Sequence, residues 1–313
     1  MDISVVIPLF NERDNLRPLY EELSRVLASM NVSYEVLFVD DGSTDGSIDE
    51  LRKIKTEDAH VRVVRLARNT GQTAGLQCGF QRSTGDVVVA IDSDGENDPA
   101  DIPRLVERLR SNGNDLVSGW RTERWKGATF SRRIPSIAAN RLISWMTGVE
   151  LHDYGCTLKA YRGDLARSLM LYGEMHRFVP AIAAEQGARI AELEVGFRPR
   201  RSGLSKYGAG RILRTLLDLI TVKFLSGYST RPIQVFGLIG LVLAGLGLLW
   251  TTILIFEKLV MGAQLAARPA LLLAVLLLVV GVQFVSIGLL GEMLARTYHE
   301  SQRKPIYTVR EEF

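Results

Sequence analysis

The chain has 313 residues, of which 47% are hydrophobic and 23% are charged, and its formal net charge is +3. This length can form one large core with additional elements, and the weak net charge gives no general case for nucleic-acid binding. Only two cysteines are present, Cys78 and Cys156, which excludes a disulfide-rich scaffold and fits a reducing compartment.

The first 120 residues alternate strand patterns with helix patterns. Runs of apolar and β-branched residues indicate buried strands, and apolar residues three or four positions apart indicate helices. Such alternation predicts an α/β fold, a Rossmann-type and mostly parallel sheet with helices on both faces. The predicted strands are 3–10, 34–40, 61–67, 86–92 and 115–120, and the predicted helices are 15–30, the segment around 48–54, 73–83 and 99–111.

Polar side chains follow three of these strands. The first strand leads into residues 8–12 (PLFNE), the second ends on Asp40 and Asp41, and the fourth ends on Asp92 and Asp94. Ligands of parallel sheets bind outside the carboxyl ends of the strands. We therefore expect these residues to line one site.

Asp92 and Asp94 are candidates for a divalent-metal site. Residues two apart on an extended segment point to the same side, and paired carboxylates suit Mg²⁺ or Mn²⁺, with water and substrate phosphate completing the coordination. The four histidines are scattered along the chain, which argues against zinc. An ordinary acidic turn is the alternative, as it is for Asp45, which could cap the following helix.

Two uncharged apolar runs, 233–256 and 269–291, occupy the C-terminal part of the chain. Each exceeds the roughly 20 residues that a bilayer-spanning helix needs. Lysine and arginine are more frequent in the flanks of this pair than in the connection, so the positive-inside rule predicts a multi-pass membrane protein with both termini cytoplasmic. A buried hairpin of a soluble protein is the alternative.

The segment before the first apolar run alternates leucine and isoleucine with arginine and lysine. This pattern predicts an amphipathic helix at the membrane surface, with an ordinary surface helix as the alternative. The predicted divisions are a cytosolic domain at 1–208, the interface helix at 209–230, transmembrane helices at 231–257 and 269–292, a non-cytoplasmic loop at 258–268 and a cytosolic tail at 293–313.

Several motifs resemble a known family. VVIPLFNE, VDDGSTDGS, NTGQTAGLQCGF and AIDSDGENDP resemble the nucleotide-sugar-binding half of family 2 glycosyltransferases, which have the GT-A fold. HDYGCTLKAYR, RPRRSGLSKYG and GLLGEMLARTY resemble the polyisoprenyl-phosphate glycosyltransferases of that family. The resemblance implies metal-dependent, inverting transfer of a sugar from a nucleotide-sugar, with UDP favoured over GDP, to a polyisoprenyl phosphate at the cytoplasmic face of the inner (plasma) membrane.

The resemblance also assigns the donor side of the site. Asp41 is expected to face the base, and Asp92 and Asp94 are expected to hold Mg²⁺ or Mn²⁺ on the donor diphosphate. Glu96 takes the place of a glutamine that is frequent in the family and is expected to be a further metal ligand. Arg200 is expected to bind the diphosphate. The residues expected at the donor nucleotide are Pro8, Phe10, Glu12, Asp40, Asp41, Asp92, Ser93 and Lys206.

On the acceptor side, the resemblance implies a phosphate site rich in arginine, whose planar fork donates two hydrogen bonds at once. The alternative is a solvated basic face attracted to anionic lipid. Asp153 is expected to contact the sugar or the acceptor, and is a candidate base or only a loop-ordering carboxylate; Tyr154 and Lys159 are weaker candidates. The acceptor-phosphate residues are Arg121, Arg132, Arg133 and Ser136, and the catalytic residues are Asp94, Asp153 and Arg200.

Other functions remain open: a GDP-mannose-dependent mannosyltransferase, a processive polysaccharide synthase, or a non-catalytic membrane scaffold that binds nucleotide-sugars. The segment 174–178 (EMHRF) matches the Q-x-x-R-W motif of processive synthases poorly. A dinucleotide oxidoreductase is excluded, because no glycine fingerprint follows the first strand. The resemblance further implies a homotetramer, and Gly240 and Ala244 are small residues four apart that could pack helices together.

Overall fold

The computed structural model contains two compact units. One is Met1–Leu219 together with Pro305–Phe313, and the other is Ile220–Lys304. The predicted interface helix at 209–230 lies outside the described residues. The structure describes residues 1–111, 113–125, 137, 140, 141, 143–145, 147–171, 175–198, 232–261, 269–301 and 306–313.

Among the described residues, an eight-stranded mixed sheet forms the centre of the first unit. Its strands are β1 (Ile3–Leu9), β2 (Tyr34–Asp40), β3 (Val61–Leu66), β4 (Val87–Ala90), β5 (Leu116–Arg121), β6 (Lys159–Arg162), β7 (Ile190–Val195) and β8 (Val309–Glu312). They lie in the order β7-β5-β6-β4-β1-β2-β3-β8. Strands β1 to β4 run parallel, as do β5 and β7, whereas β6 and β8 run antiparallel to their neighbours.

Helices connect these strands. They are α1 (Arg13–Ser29), α2 (Ser47–Glu57), α3 (Gln72–Arg82), α4 (Ile102–Ser111), α5 (Gly163–Ser168) and α6 (Val179–Glu185), with short 3-10 turns at Pro99–Asp101, Thr122–Trp125 and Met175–Arg177. The α/β fold is confirmed, and the predicted strands agree with the observed bounds to within two residues. Every residue of β1 and β2 is buried, as expected for parallel strands covered on both faces.

The switch point of the sheet lies between β1 and β4. From β1 the chain adds β2 and β3 on one side, and β4 then returns to the other side of β1. Ligands of open parallel sheets bind at the carboxyl ends of the strands that flank such a point. The segments after β1, β2 and β4 therefore meet at the edge where the sequence predicts a site.

Close packing of α3 on β1 supports this edge. A Cβ added to Gly79 would overlap Cγ1 of Val6, and one added to Gly75 would lie 3.0 Å from Cβ of Pro8. Glycine allows this approach because it has no side chain. The packing holds the first turn of α3, which carries Gln72, against the strand that leads into the site.

The C-terminal segment forms a strand that the sequence does not predict. The sequence places residues 293–313 in a cytosolic tail, whereas in the structure β8 extends the sheet beyond β3. The amide of Val63 donates to the carbonyl of Phe313 at 2.8 Å, and the amide of Phe313 donates back at 3.0 Å. The end of the chain is thus part of the first unit.

The second unit contains two long apolar helices, α7 (Pro232–Met261) and α8 (Pro269–Ser301). They pack closely at small residues: a Cβ added to Gly240 would lie 2.6 Å from the carbonyl oxygen of Gly281. A Cβ added to Gly281 would in turn lie 2.6 Å from the backbone nitrogen of Ala244. The pair of small residues identified in the sequence therefore lies at the contact between these helices.

Both helices are long and apolar enough to cross a membrane. The candidate spans are Phe236–Val260 and Pro269–Gly291, with mean hydropathies of 2.4 and 2.8. Only 17% and 11% of their most apolar windows are buried. A helix in the core of a soluble protein would be mostly buried, so these faces are suited to contact lipid.

Candidate active site

Two acids directly after β4 form the centre of the site. Asp92 accepts a hydrogen bond from Nε2 of Gln72 at 2.7 Å, and Oδ1 of Asp94 accepts the amide of Glu96 at 3.0 Å. Burial and then the negative charge of Asp94 raise the pKa of Asp92 to about 7. Such a shift marks carboxylates whose charge is incompletely compensated, and this environment favours binding of a cation.

The carboxylate of Glu96 contacts Arg121 in the structure. Its Oε2 lies 3.4 Å from Nη1 of Arg121. Within the described ranges, no three His, Cys, Asp or Glu side chains converge on one point as a ready-made metal site. Asp92 and Asp94 fit a divalent ion whose other ligands come from substrate and water, and the role of Glu96 as a further ligand stays a prediction.

The segments after β1 and β2 interlock through hydrogen bonds. The amide of Asn11 donates to Oγ of Ser43, and the amide of Thr44 donates back to Oδ1 of Asn11, both at 2.9 Å. Asp40 is fully buried and accepts the amide of Ser43 at 3.0 Å. A Cβ at Gly42 would lie 2.8 Å from the backbone of Arg68, and its φ of +75° also requires glycine.

Asp41 joins the β2 exit to the start of α3. Its two carboxylate oxygens accept the amides of Thr70 and Gly71 at 2.8 and 2.7 Å. Burial raises the pKa of Asp41 above its ordinary value, although these bonds oppose the shift. The side chain is 4% exposed, so the structure gives it an anchoring role, and its contact with a base stays a prediction.

The other residues expected at the donor nucleotide lie around the same edge. Phe10 and Glu12 are half-buried after β1, and Ser93 is buried between the two acids. Pro8 lines a cavity of about 20 Å³, which has room for about one water molecule. The polar residues that line the cavity are Gln72, Asp92, Thr157, Lys159 and His176.

Arg121 and Asp153 form a buried ion pair on the expected acceptor side. Nε and Nη2 of Arg121 donate to the two carboxylate oxygens of Asp153 at 2.8 and 3.2 Å. Arg121 is 4% exposed. Burial alone would lower its pKa, but Asp153 and other negative groups outweigh this and raise it. Its predicted role at the acceptor phosphate requires that the phosphate share or displace these carboxylates.

Glu192 on β7 holds the loop that carries Asp153. Its carboxylate accepts the amides of His152 at 2.9 Å and of Asp153 at 3.1 Å. It also lies 2.7 Å from Nδ1 of His152, whose ring stacks on Trp120 with centroids 4.1 Å apart. The position of Asp153 is therefore fixed from two strands.

Lys159 on β6 supports the other end of this loop. Its ammonium donates to the carbonyl oxygens of Cys156 and of Tyr154, the latter at 3.5 Å. The residue is 2% exposed, and burial lowers its pKa. It lines the same cavity as Asp92. The predicted site residues outside the described part of the chain are Arg132, Arg133, Ser136, Arg200 and Lys206.

Residues 4–169 match the profile of glycosyl transferase family 2. The chain belongs to this family. A relative from Rhizobium johnstonii, named dodecaprenyl-phosphate galacturonate synthase, is 42% identical to this glycosyltransferase over 100% of its chain and 93% of the relative. An undecaprenyl-phosphate 4-deoxy-4-formamido-L-arabinose transferase from Aeromonas hydrophila is 36% identical over 98% of this chain and 92% of the relative.

A solved structure shares the fold of the glycosyltransferase. Glucosyl-3-phosphoglycerate synthase from Mycobacterium tuberculosis, crystallised with Mn²⁺ and UDP-glucose, aligns with a TM-score of 0.53 and 22% identity. The alignment covers 71% of this chain and 78% of that one. The GT-A-like architecture expected from the motifs is therefore confirmed.

Sequence reasoning missed three polar residues of this glycosyltransferase site. Gln72 contacts Asp92, Glu192 anchors the Asp153 loop, and His176 lines the cavity with its Nδ1 2.9 Å from Oγ1 of Thr73. Gln72 lies inside the NTGQTAGLQCGF motif, so its place at the start of α3 was a usable signal. Glu192 lies in a strand of ordinary composition and gives no such signal.

Proposed function

We propose that this glycosyltransferase transfers one sugar from a nucleotide-sugar, first of all a UDP-sugar, to a polyisoprenyl phosphate, with inversion at the anomeric carbon. The observation that carries the proposal is the acid pair Asp92 and Asp94 at the switch point, connected through Glu96 to the Arg121–Asp153 ion pair. The names of both relatives above combine a polyprenyl phosphate with a sugar. A nucleotide-sugar and a lipid phosphate are therefore its proposed substrates.

The donor binds along the exits of β1, β2 and β4 in this proposal. Pro8, Phe10, Glu12 and the interlocked turn at Asp40 and Asp41 form the nucleoside side, with Ser93 next to the diphosphate. A divalent ion, Mg²⁺ or Mn²⁺, held by Asp92 and Asp94 would neutralise charge on the departing nucleoside diphosphate. Gln72 keeps Asp92 oriented for this role. Arg200 and Lys206 are proposed to bind the same diphosphate.

The acceptor supplies its own nucleophile. A phosphate monoester has a second pKa of about 6, so one of its oxygens is already anionic at neutral pH. The protein must mainly place this oxygen in line with the leaving group and exclude water. Arg121, Arg132, Arg133 and Ser136 are proposed to bind the phosphate. Because no strong base is needed, we assign Asp153 to orienting Arg121 and the sugar.

Chain connectivity supports placing the site at the cytoplasmic face of the inner membrane. The chain leaves the first unit, passes through the two apolar helices and returns to form β8 in the first unit. Two spans bring the chain back to the side from which it left. The basic flanks of the spans favour the cytoplasm for that side. We also propose a homotetramer, on the resemblance to the family.

A transfer assay tests this function. The purified full chain in detergent is incubated with undecaprenyl phosphate and a panel of labelled UDP- and GDP-sugars, with and without EDTA. We expect label from one donor in the lipid phase, lost with EDTA and in Asp94→Asn. Transfer that persists in both cases would contradict the metal role, and a folded protein that consumes no donor would contradict the enzyme itself.

A further inference from the structure

We propose that Glu311, near the C-terminus, is a positioning residue for the donor nucleotide that acts through Arg65 and Asp40. The inference rests on the proposed function, because it takes the nucleotide to bind where β1 and β2 end. Glu311 itself lies on β8 and belongs to no motif of the site. Its influence passes through a series of contacts along the sheet.

The first step is the attachment of the tail to the sheet. Besides the two Val63–Phe313 hydrogen bonds, the amide of Ala67 donates to the carbonyl of Thr308 at 2.8 Å. The guanidinium of Arg52 lies 5.6 Å from the ring centroid of Phe313. Backbone hydrogen bonds at both ends of β8 thus fix the positions of its side chains along β3.

The second step is a set of ion pairs that holds two adjacent glutamates. Glu311 lies 3.0 Å from Arg52 and 3.3 Å from Arg65. Glu312 pairs with two other arginines, Arg62 at 2.9 Å and Arg82 at 3.2 Å. The two glutamates have the same charge and the same number of arginine partners in these contacts. Of these four arginines, Arg65 is the one that also contacts Asp40 at the end of β2.

The third step runs from Arg65 to Asp40. Nε of Arg65 lies 3.5 Å from Oδ2 of Asp40, and both atoms are buried. Neither atom has a hydrogen-bond partner among the described residues, so their attraction depends on how Arg65 is held. Burial raises the pKa of Asp40, and Arg65 partly offsets this shift. Nη1 of the same guanidinium donates to Oε1 of Glu311 at 3.3 Å.

The fourth step runs from Asp40 to the proposed nucleoside pocket. Asp40 fixes Ser43, and Ser43 in turn fixes the amide of Asn11, which stands between Phe10 and Glu12. A shift of Asp40 would therefore move both exits that are proposed to hold the nucleoside. Loss of Glu311 should weaken nucleotide binding, with less effect on the chemical step.

Adjacent residues allow a matched comparison. The full chain in detergent is titrated with UDP and with GDP in the presence of Mn²⁺, and the nucleotide that binds is used for the variants. We expect Glu311→Gln to weaken binding about fivefold, as loss of a partly buried ion pair would. Glu312→Gln should change the nucleotide affinity by less than about twofold. Its thermal midpoint should fall by about as much as that of Glu311→Gln, because each variant loses two comparable ion pairs.

The outcomes separate the two proposals. Equal effects of Glu311→Gln and Glu312→Gln on affinity, or no effect of Glu311→Gln, would overturn the positioning role and leave the proposed function standing. Failure of the wild-type protein to bind either nucleotide would instead contradict the proposed function, and the inference with it. Arg65→Lys supplies an independent variant: it retains the charge but loses the two-sided contact, and weaker nucleotide binding is expected.

Discussion

At the scale of single residues, Arg121 connects the segment after β4 to the loop that carries Asp153. One guanidinium nitrogen of Arg121 donates a hydrogen bond to Glu96, and the two others donate to Asp153. The sequence predicted Asp92 and Asp94 as site residues, because the residues that follow a strand can be read directly from the order of the chain. The pairing of Arg121 with Asp153 spans 32 positions, and it depends on the packing of distant elements that no local pattern encodes.

The role of Glu192 leads to a prediction about catalysis. Oε1 of Glu192 accepts the amides of both His152 and Asp153, and Oε2 lies 2.7 Å from Nδ1 of His152. Glu192→Gln removes the negative charge and replaces one of these oxygens with a donor amide, so it cannot keep both sets of contacts. We expect kcat to fall about tenfold, because misplaced active-site groups cost roughly this much or more, while the donor KM stays nearly constant. Steady-state kinetics measure both quantities.

The control for this prediction is Glu194→Gln on the same strand, whose side chain is exposed. It should leave both constants unchanged. A Glu192→Gln variant that raises the donor KM at constant kcat would show that Glu192 acts on the donor side, contrary to the assignment.

At the scale of elements, the sequence predicted β1 to β5 and the helices between them, since those elements have long periodic patterns. It did not predict β6 or β8, which are four residues long, or β7, which has six residues. β8 pairs with β3 across more than half of the chain. A four-residue strand gains its stability from its partner strand, so its own residues carry little signal.

Packing of α3 on β1 predicts a specific steric conflict. Gly79→Ala places a methyl group where it would overlap Val6, and we expect a loss of about 2 kcal/mol of stability from overpacking. Val6→Ala alone should also destabilise the protein, because it leaves a cavity. In urea unfolding, the double variant should lose less unfolding free energy than the two single variants lose together. Simple additivity would contradict the close contact.

The network around Glu35 predicts a dependence of stability on pH. Burial raises the pKa of Glu35, but hydrogen bonds from Ser4, Arg62 and Thr84 outweigh this and leave the pKa below its ordinary value. A lowered folded-state pKa stabilises the protein above the unfolded value of about 4.3, and this contribution disappears as pH falls through the folded-state pKa.

Glu35→Gln should therefore destabilise the protein by about 2 kcal/mol at pH 7. The difference from wild type should shrink as pH falls below about 4, where wild-type Glu35 becomes protonated. Thermal unfolding of both proteins across this pH range measures the difference. A constant difference down to about pH 3 would contradict the contribution of the ionised carboxylate.

At the scale of the whole molecule, the sequence predicted the apolar helices from composition alone, and their small contact residues follow from spacing. It did not predict that the chain end returns to the sheet, because this depends on pairing between segments far apart in sequence. The return has a consequence for topology. With both helices as membrane spans, we predict that their connection lies on the opposite side of the membrane from the sheet.

Cysteine labelling tests this topology. The two native cysteines are buried, so they should contribute little background. We expect Ala263→Cys, between the spans, to react with a membrane-impermeant maleimide on intact cells. Thr308→Cys should react only after permeabilisation. Its side chain is exposed, but it belongs to the tail attached to the sheet, which we place in the cytoplasm. Equal labelling of both positions on intact cells would contradict the two-span arrangement.

The central claim is tested most directly by identifying both products of a single turnover. The donor is the nucleotide-sugar whose label enters the lipid phase in the transfer assay. Sugar transfer to a lipid phosphate predicts one nucleoside diphosphate released for each lipid formed, and a lipid product whose ³¹P spectrum shows a single phosphodiester. Release of a nucleoside monophosphate together with a lipid pyrophosphate would show transfer of a sugar phosphate instead, and the roles proposed for Asp92, Asp94 and Arg121 would be wrong.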